Sequence, residues 1–167
     1  GLNEVGDFWE GVIKLNSWHQ SRISELIVKK LFGTVTGKKI CILGFSFKAN
    51  TNDTRESSSI QICKNLLDEG AVLYIHDPKV NPKQIEKDLN KFEQKTSLMS
   101  NEDLSGVWSF VHNYIEGCEG ADAIVVLTEW EEYAKIDWNE VASKMRSPAW
   151  VFDARSIINA EEVNSSN

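Results

Sequence analysis

Five short apolar runs, at residues 39–45, 72–77, 107–112, 123–128 and 149–153, alternate with segments of helical period, and this alternation restricts the chain to a small set of folds. The first run reads ICILGF after the paired lysines. Unbroken apolar runs of this length mark strands buried on both faces, which is the condition of a parallel sheet. Between them, residues 56–69 place Ile60, Cys63, Leu66 and Leu67 on one helical face and stop at Gly70. Residues 82–92 and 131–144 also read as helices, and a short helical turn leads to Gly120. Parallel strands cannot be joined by a tight hairpin, so each helix serves as a crossover and the sheet becomes covered on both sides. The expected fold is α/β: a Rossmann-like, doubly wound, mostly parallel sheet.

Upstream of the first strand, Val5, Phe8, Trp9 and Val12, then Ile23, Leu26, Ile27 and Leu31, follow the spacing of an amphipathic helix. A long N-terminal helix is therefore expected, with a break near Asn16 and Ser17 as the alternative to one continuous rod of roughly 40 Å. Its apolar face, with Phe8, Trp9, Val12 and Trp18, is expected to drive self-association. The chain divides into a helical segment at 1–36, a Rossmann-like domain at 37–162 and a disordered tail at 163–167, with 95–105 as a surface loop.

A net charge of -7 without a basic block repels polyanions, so no nucleic-acid partner is expected. No run reaches the roughly 18 to 20 apolar residues of a membrane span, and no secretory leader is read at the start, which lacks Met. Cys41, Cys63 and Cys118 are odd in number and far apart, fitting a reducing cytoplasm. Cys41 and Cys63 lie on predicted strand and helix faces and read as small core residues. His19, His76 and His112 form neither a metal set nor a catalytic triad, and no catalytic or metal-ligating residue is assigned.

In open α/β sheets ligands bind beyond the C-terminal ends of the strands. After the first strand come Ser46, Phe47, Lys48 and, further on, Arg55, with Asp53 or Thr54 placed to cap the next helix. A helix N-terminus with two cations suits a diphosphate, although Lys48 and Arg55 read equally well as solvated loop residues. A GxGxxG triplet is absent, with only Gly44 in place, so the pattern suggests an anion site and not NAD binding in this domain. At the second strand end, Asp77 fits either a ribose contact or a plain turn. At the last, Arg155 lies within reach of a ligand phosphate or sugar.

The stretch GFSFKANTNDTRESSS at 44–59 resembles a signature of the UDP-glucose and GDP-mannose dehydrogenase family. HDPKV at 76–80, GADAIVVLTEW at 120–130 and FDAR at 152–155 follow in the family's order, and the opening GLNEV resembles the end of its central dimerisation domain. The TRESSS and TEW wording is most similar to the branch acting on UDP-glucose; relatives acting on GDP-mannose or UDP-N-acetylmannosamine usually carry a proline soon after RES.

The resemblance implies an NAD-dependent, two-step oxidation of the sugar C6 hydroxyl through a cysteine that this chain does not contain. It implies that Phe47, Lys48 and Arg155 contact a UDP-sugar and that Arg55 reaches NAD across a cleft. The chain is then the UDP-sugar-binding portion of a homo-oligomeric enzyme, inactive by itself. Ala49-Asn50 departs from the family pattern, as does the long aromatic stretch at 107–114. A related dehydrogenase acting on UDP-N-acetylmannosamine or GDP-mannose, a stand-alone nucleotide-sugar-binding module and a dimerisation piece are the alternatives.

Overall fold

The computed structural model describes residues 22–90 and 106–165. Helix α1 covers residues 22–30, and the element order continues β1 (Lys39–Leu43), α2 (Ser58–Asp68), β2 (Val72–His76), α3 (Pro82–Leu89) and β3 (Val107–Phe110). Then follow α4 (Tyr114–Cys118), β4 (Ala123–Val126), a 3-10 turn at Tyr133–Lys135, α5 (Trp138–Lys144), β5 (Trp150–Asp153) and α6 (Ala160–Ser165). All five strands are parallel, in the order β3-β2-β1-β4-β5.

The alternation of side chains along the strands produces two cores. Ile40, Ile42, Leu73, Ile75, Ala123 and Val125 point to the side covered by α1, α2 and α3, where Ile27, Leu31, Ile62, Leu66 and Ile85 meet them. Cys41, Leu43, Ile124 and Val126 point to the other side, against Cys118, Trp130, Tyr133, Trp138 and Val141. Residues 40–43 of central β1 and all of β4 are buried on both faces and apolar, which explains their unbroken runs, while Lys39 opens β1 half-buried. Cys41 and Cys63 are buried and unpaired, as their positions in the pattern predicted, and Cys118 is buried and unpaired as well.

Several local expectations change. The helix expected at 131–144 is two pieces, because Ile136 is extended and Asp137 starts α5 by accepting from the Asn139 and Glu140 N–H groups. The cap of α2 is Ser57, not Asp53 or Thr54; its hydroxyl accepts from the Ser59 N–H and donates to Phe45 O. Helix α6 runs through Ser165, so residues 163–165 are helical where polar composition pointed to a disordered tail. The doubly wound, mostly parallel sheet expected is present, and its five strands among the described residues are all parallel. The long N-terminal helix, its proposed break, its apolar face and the 95–105 loop lie outside the described residues, apart from 22–30.

Candidate functional site

From β1 the chain adds β2 and β3 on one side, then returns to lay β4 against the opposite edge of β1. Ligands in such sheets bind in the crevice at this reversal. Gly44 and Thr128 make the crevice floor. Gly44 adopts φ +94°, and a Cβ there would lie 2.6 Å from Thr128 Oγ1 and 2.8 Å from Thr128 N. Only glycine fits so close an approach in the left-handed region. The Thr128 hydroxyl then donates to Ser46 O at 2.7 Å, tying the loop after β1 to the end of β4.

A second brace is Asp77, which is 3% exposed. Its Oδ2 accepts from the Phe45 N–H at 2.8 Å, the Ser46 N–H at 3.0 Å and the Trp130 indole N–H at 3.3 Å. Its Oδ1 accepts from the N–H groups of Lys79 and Val80, both at 2.9 Å. The alternative of a ribose contact is therefore replaced by a turn residue: both oxygens face inward onto protein donors.

Beyond these braces Phe47 and Lys48 face solvent, Phe47 with 48% of its surface exposed. Arg155 approaches from β5, its N–H held by Asp153 Oδ1 at 2.8 Å. Its Nε donates to Leu127 O at 2.7 Å and its Nη2 to Phe47 O at 3.3 Å. A guanidinium has five N–H donors, so this anchoring leaves donors for an anion. Phe47 and Arg155, 108 residues apart in sequence, are brought into contact. Arg55 goes elsewhere: 88% exposed, it pairs with Asp53 Oδ2 at 2.7 Å. The Arg55 guanidinium holds the Asp53 carboxyl down at about 2, and an ion pair this exposed adds little stability. The α2 N-terminus expected to receive a diphosphate is already capped by Ser57, itself buried, and the cations beside the crevice include exposed Lys48 and half-buried Arg155.

Strand-end reasoning passed over three residues: Asp77 as a brace, Thr128, and Glu129, which lies between the loops. Glu129 carried a signal in the sequence as the acidic residue of TEW just past a strand end, yet nothing in the spacing said which loops it would meet.

Beside the crevice, His76 Nδ1 lies 2.8 Å from the Tyr133 hydroxyl, which donates to His76 O at 3.1 Å. Burial pushes the His76 pKa below its ordinary value, partly offset by the Asp77 carboxylate. The fold thus favours the neutral imidazole. As pH falls below about 6.5, the unfolded chain takes up the proton first, so stability falls as pH drops from there through the folded pKa. Thermal unfolding between pH 7.5 and 5 should show this loss, and His76→Gln should flatten it; an unchanged slope in the variant would remove His76 as its source.

The profile of the UDP-glucose/GDP-mannose dehydrogenase family, UDP binding domain, matches residues 41–160. The chain belongs to this family. The match runs from β1 into α6 and so encloses the whole crevice. Among curated family members, UDP-glucose 6-dehydrogenase 4 of Oryza sativa is 40% identical, covering 98% of this chain and 35% of that protein. The UDP-glucose 6-dehydrogenase of Caenorhabditis elegans is 42% identical, covering 94% of this chain and 31% of that protein. The chain therefore spans about a third of the length of these curated relatives. A UDP-glucose dehydrogenase structure from Pyrobaculum islandicum superposes with a TM-score of 0.66 at 24% identity, covering 92% of this chain and 30% of that one. A GDP-mannose dehydrogenase from Pseudomonas aeruginosa does so at 0.62 and 19%, covering 91% and 31%. Both share the family's α/β fold with this chain.

Proposed function

We propose that this chain is the UDP-sugar-binding portion of an NAD-dependent UDP-glucose 6-dehydrogenase, which converts UDP-glucose to UDP-glucuronate. The observation that carries this reading is the meeting of solvent-facing Phe47 and Lys48 with anchored Arg155 at the crevice between β1 and β4. Phe47 offers an aromatic face for a base or sugar ring, Lys48 a mobile charge and Arg155 a fixed one. Lys48 and Arg155 suit a diphosphate, whose charge neither the crevice floor nor the Asp77 brace opposes directly. Curated relatives at 40% and 42% identity carrying the UDP-glucose name support this sugar over mannose-type substrates.

NAD supplies the hydride acceptor in such a reaction. The crevice residues do not fit its adenosine half: the loop after β1 has Gly44 without a glycine triplet, and Asp77 is saturated by backbone and indole donors. The reading therefore leaves NAD to a part of the enzyme outside this chain and assigns Arg55, exposed and turned away on Asp53, to the cofactor side. The part of the crevice residues is to bind and orient the sugar nucleotide. The domain plan accompanying this proposal is a helical segment at 1–36, ending the central dimerisation domain of a homo-oligomer, followed by the UDP-binding domain.

Isothermal titration of the chain with UDP and UDP-glucose tests the assignment. Lys48→Ala is expected to weaken UDP binding by about 10- to 150-fold, the loss of a charge-assisted hydrogen bond of roughly 1.5 to 3 kcal/mol. Arg55→Ala should be nearly silent for UDP, since Arg55 is paired with Asp53 and turned away from the crevice. Equal losses in the two variants, or no binding at millimolar UDP by a folded chain, would sink the proposal; GDP-mannose binding as tightly as UDP-glucose would shift it to the other branch of the family.

A further inference from the structure

Glu129 follows β4 where the loops after β1 and β5 converge, and the reading above gives it no role. Its Oε1 accepts from the Ala49 N–H at 3.3 Å. Its Oε2 lies 3.4 Å from Arg155 Nε, buried and without a hydrogen-bond partner among the described residues. The reason is the donor count. Arg155 Nε has one hydrogen, and that hydrogen goes to Leu127 O at 2.7 Å. Oε2 therefore faces the guanidinium as a counter-charge only.

A carboxylate beside an anion site repels the anion, so its presence needs an offsetting benefit. The geometry supplies one. Ala49 directly follows Lys48 and is two residues from Phe47, and Arg155 forms the opposite flank, so one side chain engages both sides of the crevice. Glu129 and Arg155 have side chains 38% and 32% exposed, enough for an unopposed guanidinium to swing toward water.

We infer that Glu129 is a positioning residue that holds the Phe47–Lys48 loop and the Arg155 guanidinium in one ligand-ready arrangement, acting through Ala49 N–H and through charge. The inference rests on the crevice being the UDP site. Glutamine at 129 would keep an acceptor for Ala49 and lose the counter-charge; alanine would lose both.

The experiment is a titration of UDP into the wild-type chain, Glu129→Gln, Glu129→Ala, Arg155→Ala and the Arg155→Ala/Glu129→Gln double variant, with thermal unfolding of each. Groups in one contact network are non-additive, and groups acting independently multiply their effects. Glu129→Gln is expected to weaken UDP about 10-fold and Glu129→Ala further, with the double variant no weaker than Arg155→Ala alone. Glu129→Gln binding as tightly as wild type or tighter would overturn the inference, as would multiplying losses in the double variant. A lowered unfolding midpoint with unchanged UDP affinity would reduce Glu129 to a structural residue. Failure of the folded wild type to bind millimolar UDP is a different result: it removes the crevice as a UDP site and, with it, any ligand role for Glu129.

Discussion

Gly44→Ala is expected to lower the stability of the chain by about 3 to 5 kcal/mol, most of the roughly 5 to 15 kcal/mol a domain of this kind possesses. Two costs add. The left-handed backbone, φ +94°, penalises any Cβ. Separately, the new methyl meets the backbone N and the hydroxyl of Thr128 at 2.8 and 2.6 Å, and neither strand can retreat without breaking its ladder. Gly37→Ala is the control, since φ is +70° there but nothing lies within 4 Å of the added carbon. That variant should lose only about 1 to 2 kcal/mol, the cost of the backbone region alone. Urea unfolding of both variants measures the difference. Equal midpoints would mean that the β1–β4 contact at Thr128 is looser than described, and the crevice floor with it.

The second large effect is expected at Asp77. Asp77→Ala removes the acceptor for four backbone N–H groups and the Trp130 indole at once. A buried donor left unpaired costs about 1 to 3 kcal/mol, and water entering the gap recovers part of this, so a net loss of about 3 to 5 kcal/mol is expected. Asp77→Asn does not restore the fold, because its amide nitrogen would present hydrogens to donors. Both variants should also lose UDP affinity, since the Phe45 and Ser46 N–H groups hold the loop that carries Phe47 and Lys48. Chemical unfolding followed by circular dichroism reads the first effect and titration the second. An Asp77→Ala chain within about 1 kcal/mol of wild type would show that the turn is held by other contacts.

Among the described residues the five strands and their order along the chain were legible in the sequence because strand burial leaves a local record, whereas the single helix read at 131–144 is a 3-10 turn followed by α5. Residues 40–43 of β1 and all of β4 are apolar because both faces are covered, and α2 shows one apolar stripe because one face is covered. The place of the crevice was legible to the same extent, since strand ends follow from the strands, but strand-end position named Lys48 and Arg55 alike, and only the fold shows Arg55 turned onto Asp53. Boundaries were less legible. A cap depends on which side chain turns back onto the helix, and Asp53 and Thr54 read as the candidates until Ser57 is seen to accept from the Ser59 N–H and to donate to Phe45 O.

By itself the sequence determined a doubly wound α/β domain of this dehydrogenase family, since apolar periodicity and signature residues are properties of neighbouring positions. Only the tertiary structure decided what each polar residue near the crevice does. Asp77 could be a ribose ligand or a brace until residues 31 and 32 positions earlier supplied the N–H groups that fill it. Glu129 is meaningful only beside Ala49, 80 residues away, and Arg55 and Arg155 carry the same group yet face Asp53 and the Leu127 carbonyl respectively. The physical reason is that a hydrogen bond acts over about 3 Å, and which groups come that close is set by the order of strands in the sheet.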